Sequence, residues 1–124
     1  SVGDIAIKRL VEVISSRIRA VDILCRFGGE EFVVLLQETG IVSALRIAEE
    51  LRALVESAEL LPQGSMTIST GVCEVVAAHS VDHWLKLADS ALYLAKHNGR
   101  NRVEEAREFS AQSESAAKTV PAWR

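Results

Sequence analysis

The sequence contains few aromatic residues, only two cysteines and two prolines, and no long run of apolar residues. Aromatic side chains make up 5% of the 124 residues, too few for the stacking platforms that bind single-stranded nucleic acid. The formal net charge of −3 argues against a basic nucleic-acid-binding face. Nothing resembles a signal peptide or a membrane span. We therefore expect neither nucleic acid nor a membrane segment to be involved.

The two cysteines, Cys25 and Cys73, both lie within apolar runs. No C-x-x-C pair is present, and the three histidines do not have the spacing of metal ligands. We expect buried free thiols in a reducing compartment, the cytoplasm.

Length and composition predict one compact domain. An apolar content of 48% in 124 residues leaves no room for two domains. Residues 106–124 are rich in Ser, Ala, Gln and Glu without periodicity, which predicts a tail that is a frayed helix or disordered. The predicted domain is therefore residues 1–105.

Hydrophobic periodicity predicts helices and short strands in alternation. The helices are expected over 5–19 with Asp4 as N-cap, over 43–58 with Ser43 as N-cap, and from about Trp84 to a C-terminal cap at Gly99. The strands are expected at 23–27, 32–36, 66–76 and 101–104. This order predicts an α+β architecture, with helices covering a mostly antiparallel sheet.

Residues 26 to 32 read RFGGEEF. The Gly28-Gly29 pair permits positive φ and lets a ligand approach bare backbone N–H groups. Glu30 and Glu31 follow at once, and carboxylates beside a phosphate-accepting turn suit Mg²⁺. Taken alone, however, a Gly-Gly hairpin with two exposed glutamates is more often only a hairpin.

These residues resemble the signature of the GGDEF family of diguanylate cyclases in its GGEEF form. Residues 88–96, ADSALYLAK, followed by GRN at 99–101, resemble the family's second block, and Gly3-Asp4 resembles the pair that opens a helix in its first block. The resemblance covers residues 1 to about 104. It implies a ferredoxin-like or cyclase-palm sheet covered by helices.

Similar proteins condense two GTP molecules into cyclic di-GMP, with one GTP held by each of two domains. The resemblance implies that the Gly28 and Gly29 backbone faces the phosphates. It implies that Glu30 is a ligand of Mg²⁺ (or Mn²⁺), and that Glu31 assists in metal binding or in activating the attacking hydroxyl. GTP and cyclic di-GMP are the expected ligands.

The resemblance further implies that Lys96 and Arg100 grip the terminal phosphates, and that Asp4 accepts hydrogen bonds from guanine. The i, i+4 spacing of the two cations places both on one helix face. Without the other motifs, a solvated basic helix end is the better interpretation of the two cations, and a helix N-cap explains Asp4 without any ligand.

Arg19 and Asp22 resemble the family's R-x-x-D inhibitory product site. An arginine and an aspartate three residues apart can hold a guanine edge and a phosphate together, although exposed pairs of this kind are commonly weak surface ion pairs. A further arginine from the next helix often completes the family's site, and Arg46 and Arg52 are both candidates.

Members of the family open with a strand that carries another metal-binding aspartate, and this strand has no counterpart in the sequence. We therefore expect the sheet to lack its central strand, and the chain to form a homodimer or segment-swapped oligomer or to be marginally stable. Cyclase activity is expected to be weak or absent. The alternatives are a non-catalytic receptor for cyclic di-GMP or GTP and a dimerisation module.

Overall fold

The computed structural model describes residues 2–62, 64–75, 79–106 and 114–122. The elements in chain order are α1 (Val2–Arg17), β1 (Ile23–Arg26), β2 (Phe32–Leu36), α2 (Ile41–Ser57), β3 (Thr67–Val75), α3 (Val81–His97), β4 (Val103–Glu105) and β5 (Glu114–Ala122). No helix in these ranges is long and apolar enough to cross a membrane.

The strands form one sheet in the order β1-β2-β5-β3-β4. All neighbouring pairs are antiparallel except β3 and β4, which are parallel. The expected α+β architecture with a mostly antiparallel sheet is confirmed.

The β1–β2 hairpin forms as its apolar runs predict. Phe32 and Val34 are fully buried and Val33 nearly so, so β2 is covered on both faces. The exposure of Cys25 corrects the expectation of two buried thiols. Cys25 lies on β1, which is an edge strand of the sheet and is covered less completely.

Helices α1 and α2 cover one face of the sheet with small and branched apolar side chains. The fully buried contacts come from Leu10 and Ile14 on α1 and from Ala44, Leu51 and Val55 on α2. Their spacing of four and seven residues forms one stripe along each helix. This stripe packs on β2, β3 and β5 and makes the larger of the two apolar clusters.

Besides α3, which begins at Val81 and not at about Trp84, two helix starts differ from those predicted. Because α1 already begins at Val2, Asp4 lies in its first turn and is not the N-cap. Helix α2 begins at Ile41 after the N-cap Gly40, so Ser43 lies inside the helix. In both cases the apolar stripe identified the helix but not the turn at which it starts.

The C-terminal segment differs most from expectation. Residues 114–122 form β5, which lies in the centre of the sheet between β2 and β3. The prediction of a frayed or disordered tail over 106–124 is therefore wrong for this segment. The expected gap in the sheet is filled by the chain's own last strand, while residues 107–113 lie outside the described part.

Helix α3 covers the opposite face of the sheet, and its backbone lies very close to β3. Its N-cap is Ser80, whose side chain accepts a hydrogen bond from the His83 N–H at 3.1 Å. Its alanines pack on β3 at Gly71, where a methyl group would overlap the backbone of α3 at Ala88 and Leu92. The absence of a side chain at Gly71 thus sets the distance between helix and sheet.

We predict that Gly71→Ala destabilises the protein by about 2–3 kcal/mol, because backbone atoms of α3 must move to admit the methyl group. The control Gly40→Ala adds a methyl group where no described residue beyond the chain neighbours lies within 4 Å, and its cost stays below about 1 kcal/mol. Urea unfolding monitored by circular dichroism measures both. Equal effects of the two substitutions would contradict the close packing of α3.

Candidate functional site

The GGEEF motif forms the loop between β1 and β2. The Phe27 N–H donates to the Glu31 carbonyl at 2.7 Å, and the Glu31 N–H donates to the Gly28 carbonyl at 2.9 Å. Gly28 and Gly29 have φ of 102° and 46°, in the region that favours glycine. Apart from the chain neighbours, no atom of the described residues lies within 4 Å of the position of a Cβ at either glycine, so the turn is open on its outer side.

Arg26 fixes the shape of this turn. Its Nε and Nη2 donate to the Gly29 carbonyl at 2.9 and 2.6 Å, and its guanidinium carbon lies 6.0 Å from the centre of the Phe32 ring. No role was predicted for this arginine. Its place directly before the Phe-Gly-Gly turn was the available signal, because a fork of N–H donors suits a turn carbonyl.

Glu31 is paired with Lys118, which lies in the segment predicted to be a tail. The Lys118 Nζ on β5 lies 2.9 Å from the Glu31 Oε1 and also binds the Asp89 Oδ1 on α3. The Lys118 side chain is only 5% exposed. Its Nζ lies 5.2 Å from the centre of the Phe27 ring, within the range of a cation–π contact.

The protonated form of Lys118 is favoured by its partners. Burial lowers the pKa of an ammonium, but the hydrogen bonds and negative charges of Asp89 and Glu31 outweigh it and raise the pKa of Lys118 above its ordinary value. Since the folded-state pKa is the higher one, this stabilisation is complete at neutral pH and is lost only at strongly alkaline pH.

The carboxylates near the turn do not fit a divalent metal as they are arranged. Glu31 and Asp89 are bound by the Lys118 ammonium, and Glu30 is exposed. No group of three His, Cys, Asp or Glu residues in the described ranges could hold a metal ion. The Mg²⁺ or Mn²⁺ expected at Glu30 and Glu31 would require Lys118 to move away.

The two predicted phosphate-binding cations do not share one helix face. Helix α3 ends at His97, and Arg100 follows Gly99 with a left-handed φ of 62°, so the i, i+4 argument fails. Lys96 lies on α3 seven residues after Asp89, on the same face and about 10 Å further along. Among the described residues, Lys96 and Arg100 have no ion-pair partner.

The predicted guanine ligand Asp4 is exposed on the first turn of α1. This turn belongs to the helix layer over the α2 side of the sheet, whereas Lys118 and Asp89 lie on the α3 side. The role of Asp4 in guanine binding stays a prediction.

Arg19 and Asp22 form a bidentate ion pair. The Arg19 Nε and Nη2 donate to the Asp22 carboxylate at 3.1 and 2.9 Å. The Arg19 and Gln37 backbone N–H groups donate to the same carboxylate at 2.9 and 3.0 Å. The Arg19 Nη2 also donates to the Gln37 carbonyl at 2.5 Å and to the Thr39 hydroxyl at 3.1 Å. The pair therefore ties the α1–β1 connection to the β2–α2 connection.

The two members of this pair differ in exposure. The Asp22 side chain is 1% exposed, whereas that of Arg19 is 51% exposed. Burial raises the pKa of the Asp22 carboxyl, but the hydrogen bonds from Arg19 and Gln37 and the charge of Arg19 outweigh it and lower that pKa below its usual value. Asp22 thus acts as a buried anchor, and Arg19 presents its outer side to solvent.

The two candidate arginines on α2 differ in whether they already have ion-pair partners. Arg52 donates to Glu49, to Glu56 and to the Asn101 Oδ1, and Asn101 donates in turn to Glu56 at 2.9 Å. Arg52 therefore fixes the GRN segment to α2 and is already engaged. Arg46 is exposed and has no ion-pair partner in the described part of the chain.

Residues 1–102 match the family described as "Diguanylate cyclase, GGDEF domain". Diguanylate cyclase A of Treponema denticola is 39% identical over 108 residues, which cover 82% of this chain and 28% of that protein. Diguanylate cyclase DgcM of Escherichia coli is 40% identical over 103 residues, covering 83% and 25%. The chain therefore belongs to the GGDEF-domain family of diguanylate cyclases, and it spans about a quarter of the length of these relatives.

Solved GGDEF domains share the fold. The GGDEF domain of DgcB from Caulobacter crescentus, solved in complex with c-di-GMP, superposes with a TM-score of 0.78 at 30% identity, covering 86% of this chain and 66% of that one. The active GGEEF domain of a diguanylate cyclase from Vibrio cholerae gives a TM-score of 0.74 at 28% identity, covering 87% and 70%.

We predict that Asp22→Asn lowers the free energy of unfolding at pH 7 by about 2 kcal/mol, because the anchor of Arg19 loses its charge. The native pKa of Asp22 is depressed, so its contribution is present above the unfolded pKa and disappears as pH falls through the native one. The gap between wild type and variant should therefore narrow progressively as pH falls below about 4. Urea unfolding between pH 7 and pH 3 measures it.

Glu12→Gln is the matched control, since it removes a carboxylate at an exposed position of α1. Its stability should stay within about 0.5 kcal/mol of wild type at pH 7. A gap for Asp22→Asn that is unchanged at pH 3 would contradict the assignment of Asp22 as a charged anchor.

Proposed function

We propose that this chain binds cyclic di-GMP through Arg19, as a nucleotide-binding domain of cyclic-di-GMP signalling in which GTP condensation is weak. The observation that carries the proposal is the half-exposed guanidinium of Arg19, held in one orientation by the buried Asp22 and by the Gln37 carbonyl. A cationic group that is fixed before binding loses little conformational freedom when it meets a phosphate or a guanine edge.

Arg46 is the second arginine of the proposed site. It lies on α2, the helix that follows the connection to which Arg19 is bonded. It also lies one turn from Glu50, which is paired with Arg17 near the end of α1. The same face of α2 is thus turned towards the end of α1, close to Arg19. Two arginines suit the two phosphates of a cyclic dinucleotide.

Family likeness supports the ligand class. The DgcB domain was solved in complex with c-di-GMP and is 30% identical to this chain. The free cysteines of the chain agree with a reducing cytoplasm as its location. A homodimer or segment-swapped oligomer remains a prediction, although the sheet no longer needs a second chain to complete its centre.

Condensation of GTP to cyclic di-GMP is the second candidate function. It is favoured by the open Gly28-Gly29 turn and by the likeness to the active GGEEF domain from Vibrio cholerae. Under that hypothesis the GTP phosphates contact the turn, Lys96 and Arg100. Glu30 binds the metal, and Glu31 assists in metal binding or in activating the attacking hydroxyl. The ion pairs of Lys118 oppose it, because they engage Glu31.

We predict that Arg19→Ala and Arg46→Ala each weaken cyclic-di-GMP binding by at least about tenfold, as expected when a phosphate loses a charged donor. Isothermal titration calorimetry gives the affinities. Arg9→Ala is the matched control, since Arg9 is an exposed arginine on α1, and its affinity should equal that of wild type. Unchanged affinity in Arg19→Ala would exclude this site.

We also predict that the chain forms cyclic di-GMP from GTP and Mg²⁺ at least about 100-fold more slowly than the Vibrio cholerae GGEEF domain, equivalent to about 3 kcal/mol of barrier. Chromatographic product analysis at matched concentrations measures both rates, and Glu30→Ala serves as the blank. Equal rates for the two domains would establish the second candidate instead.

A further inference from the structure

We infer that Lys118 is a built-in cation that takes the place of the divalent metal beside the GGEEF turn, so that this chain binds GTP without a metal requirement. The part that concerns GTP rests on the GTP contacts at the turn that belong to the second candidate function. The part that concerns the metal stands on the geometry of Lys118, Glu31 and Asp89 alone.

The register of the sheet explains why a lysine reaches this position. Lys118 is paired with Val33 on β2 and with Gly71 on β3, and paired residues of neighbouring strands point to the same face. Gly71 lies against α3, so Lys118 also points to the α3 side. Alternation along the chain brings Glu31, two residues before Val33, to that side as well.

The groups around the Lys118 ammonium resemble those that hold a bound metal cation. Glu31 and Asp89 come from two different elements and bind the same Nζ. The aromatic face of Phe27 lies on it as well. A buried ammonium is tolerated when charged partners replace its lost hydration. Two carboxylates that converge on one cation are also the usual protein contribution to a Mg²⁺ site.

The ammonium differs from a metal in what it can do for the ligand. It neutralises part of the carboxylate charge beside the turn, which lowers the repulsion of an incoming phosphate. It cannot act as a Lewis acid, nor can it bridge two phosphate oxygens at short range. The inference therefore predicts that GTP binds equally with and without Mg²⁺, and it gives a physical cause for slow condensation.

The test is a Mn²⁺ titration of the nucleotide-free protein, monitored by electron paramagnetic resonance of the free ion. We compare wild type, Lys118→Met, the double variant Lys118→Met/Glu31→Gln, and Lys8→Met. Methionine retains the buried stem of Lys118 without its charge. Lys8 is an exposed lysine on α1, so its variant controls for net charge.

We expect Lys118→Met to bind Mn²⁺ at least about tenfold more tightly than wild type, a difference of about 1.4 kcal/mol. Lys8→Met should behave as wild type, and the double variant should lose the gain. Equal Mn²⁺ affinity in wild type and Lys118→Met, or no binding by either, would overturn the inference. Circular dichroism checks that the variants fold, and Lys118→Gln is the substitute if methionine is not tolerated.

A second measurement needs no variant. The affinity of wild type for GTP is measured by calorimetry in Mg²⁺ and in excess EDTA, and we expect the two values to agree within about twofold. A loss of affinity of tenfold or more in EDTA would overturn the inference. Absence of GTP binding would overturn the GTP part of the inference, and absence of cyclic-di-GMP binding would overturn the proposed function. In either case the Mn²⁺ titration still decides the role of Lys118.

Discussion

The pairing of backbone groups across the centre of the sheet is the constraint on which the rest of the structure depends. β2 and β3 are both buried, and the inner edge of each carries N–H and C=O groups that water cannot reach. β5 provides the partners, pairing with Phe32–Leu36 on one side and Thr67–Val75 on the other. Without a strand in this position, the apolar residues under α1 and α2 would not form one continuous core.

The position of β5 also decides the electrostatics of the site. The register that places Ala117 in the apolar core turns its neighbour Lys118 to the opposite face. There the ammonium meets Glu31 from the hairpin and Asp89 from α3. The strand that completes the fold thus also brings a positive charge to the GGEEF turn, which links architecture to the proposed metal-independent binding of nucleotides.

Local sequence patterns predicted the parts of the fold whose signals are local. The Gly-Gly hairpin and the apolar stripes of the helices could be predicted, because each pattern is formed by residues close together in sequence. The strand at 114–122 could not be predicted, because its residues do not alternate between apolar and polar. Its pairing partners also lie far away in sequence. Likewise, the R-x-x-D spacing located Arg19 and Asp22, but only the tertiary structure shows that Gln37 shares their network. The contact between Lys118 and Glu31 could not be predicted either, because it depends on the pairing of β5 with β2.

Hydrogen exchange at the backbone amides of residues 116–120 tests the central claim most directly. These amides are protected only if β5 is hydrogen-bonded between β2 and β3. As the middle strand, β5 should exchange only through global unfolding, with the same free energy as Ile68 and Val72 on β3. Mass spectrometry or NMR of the intact chain at neutral pH gives both values. Exchange of residues 116–120 at the rate of an unstructured peptide, beside a protected β3, would contradict the account.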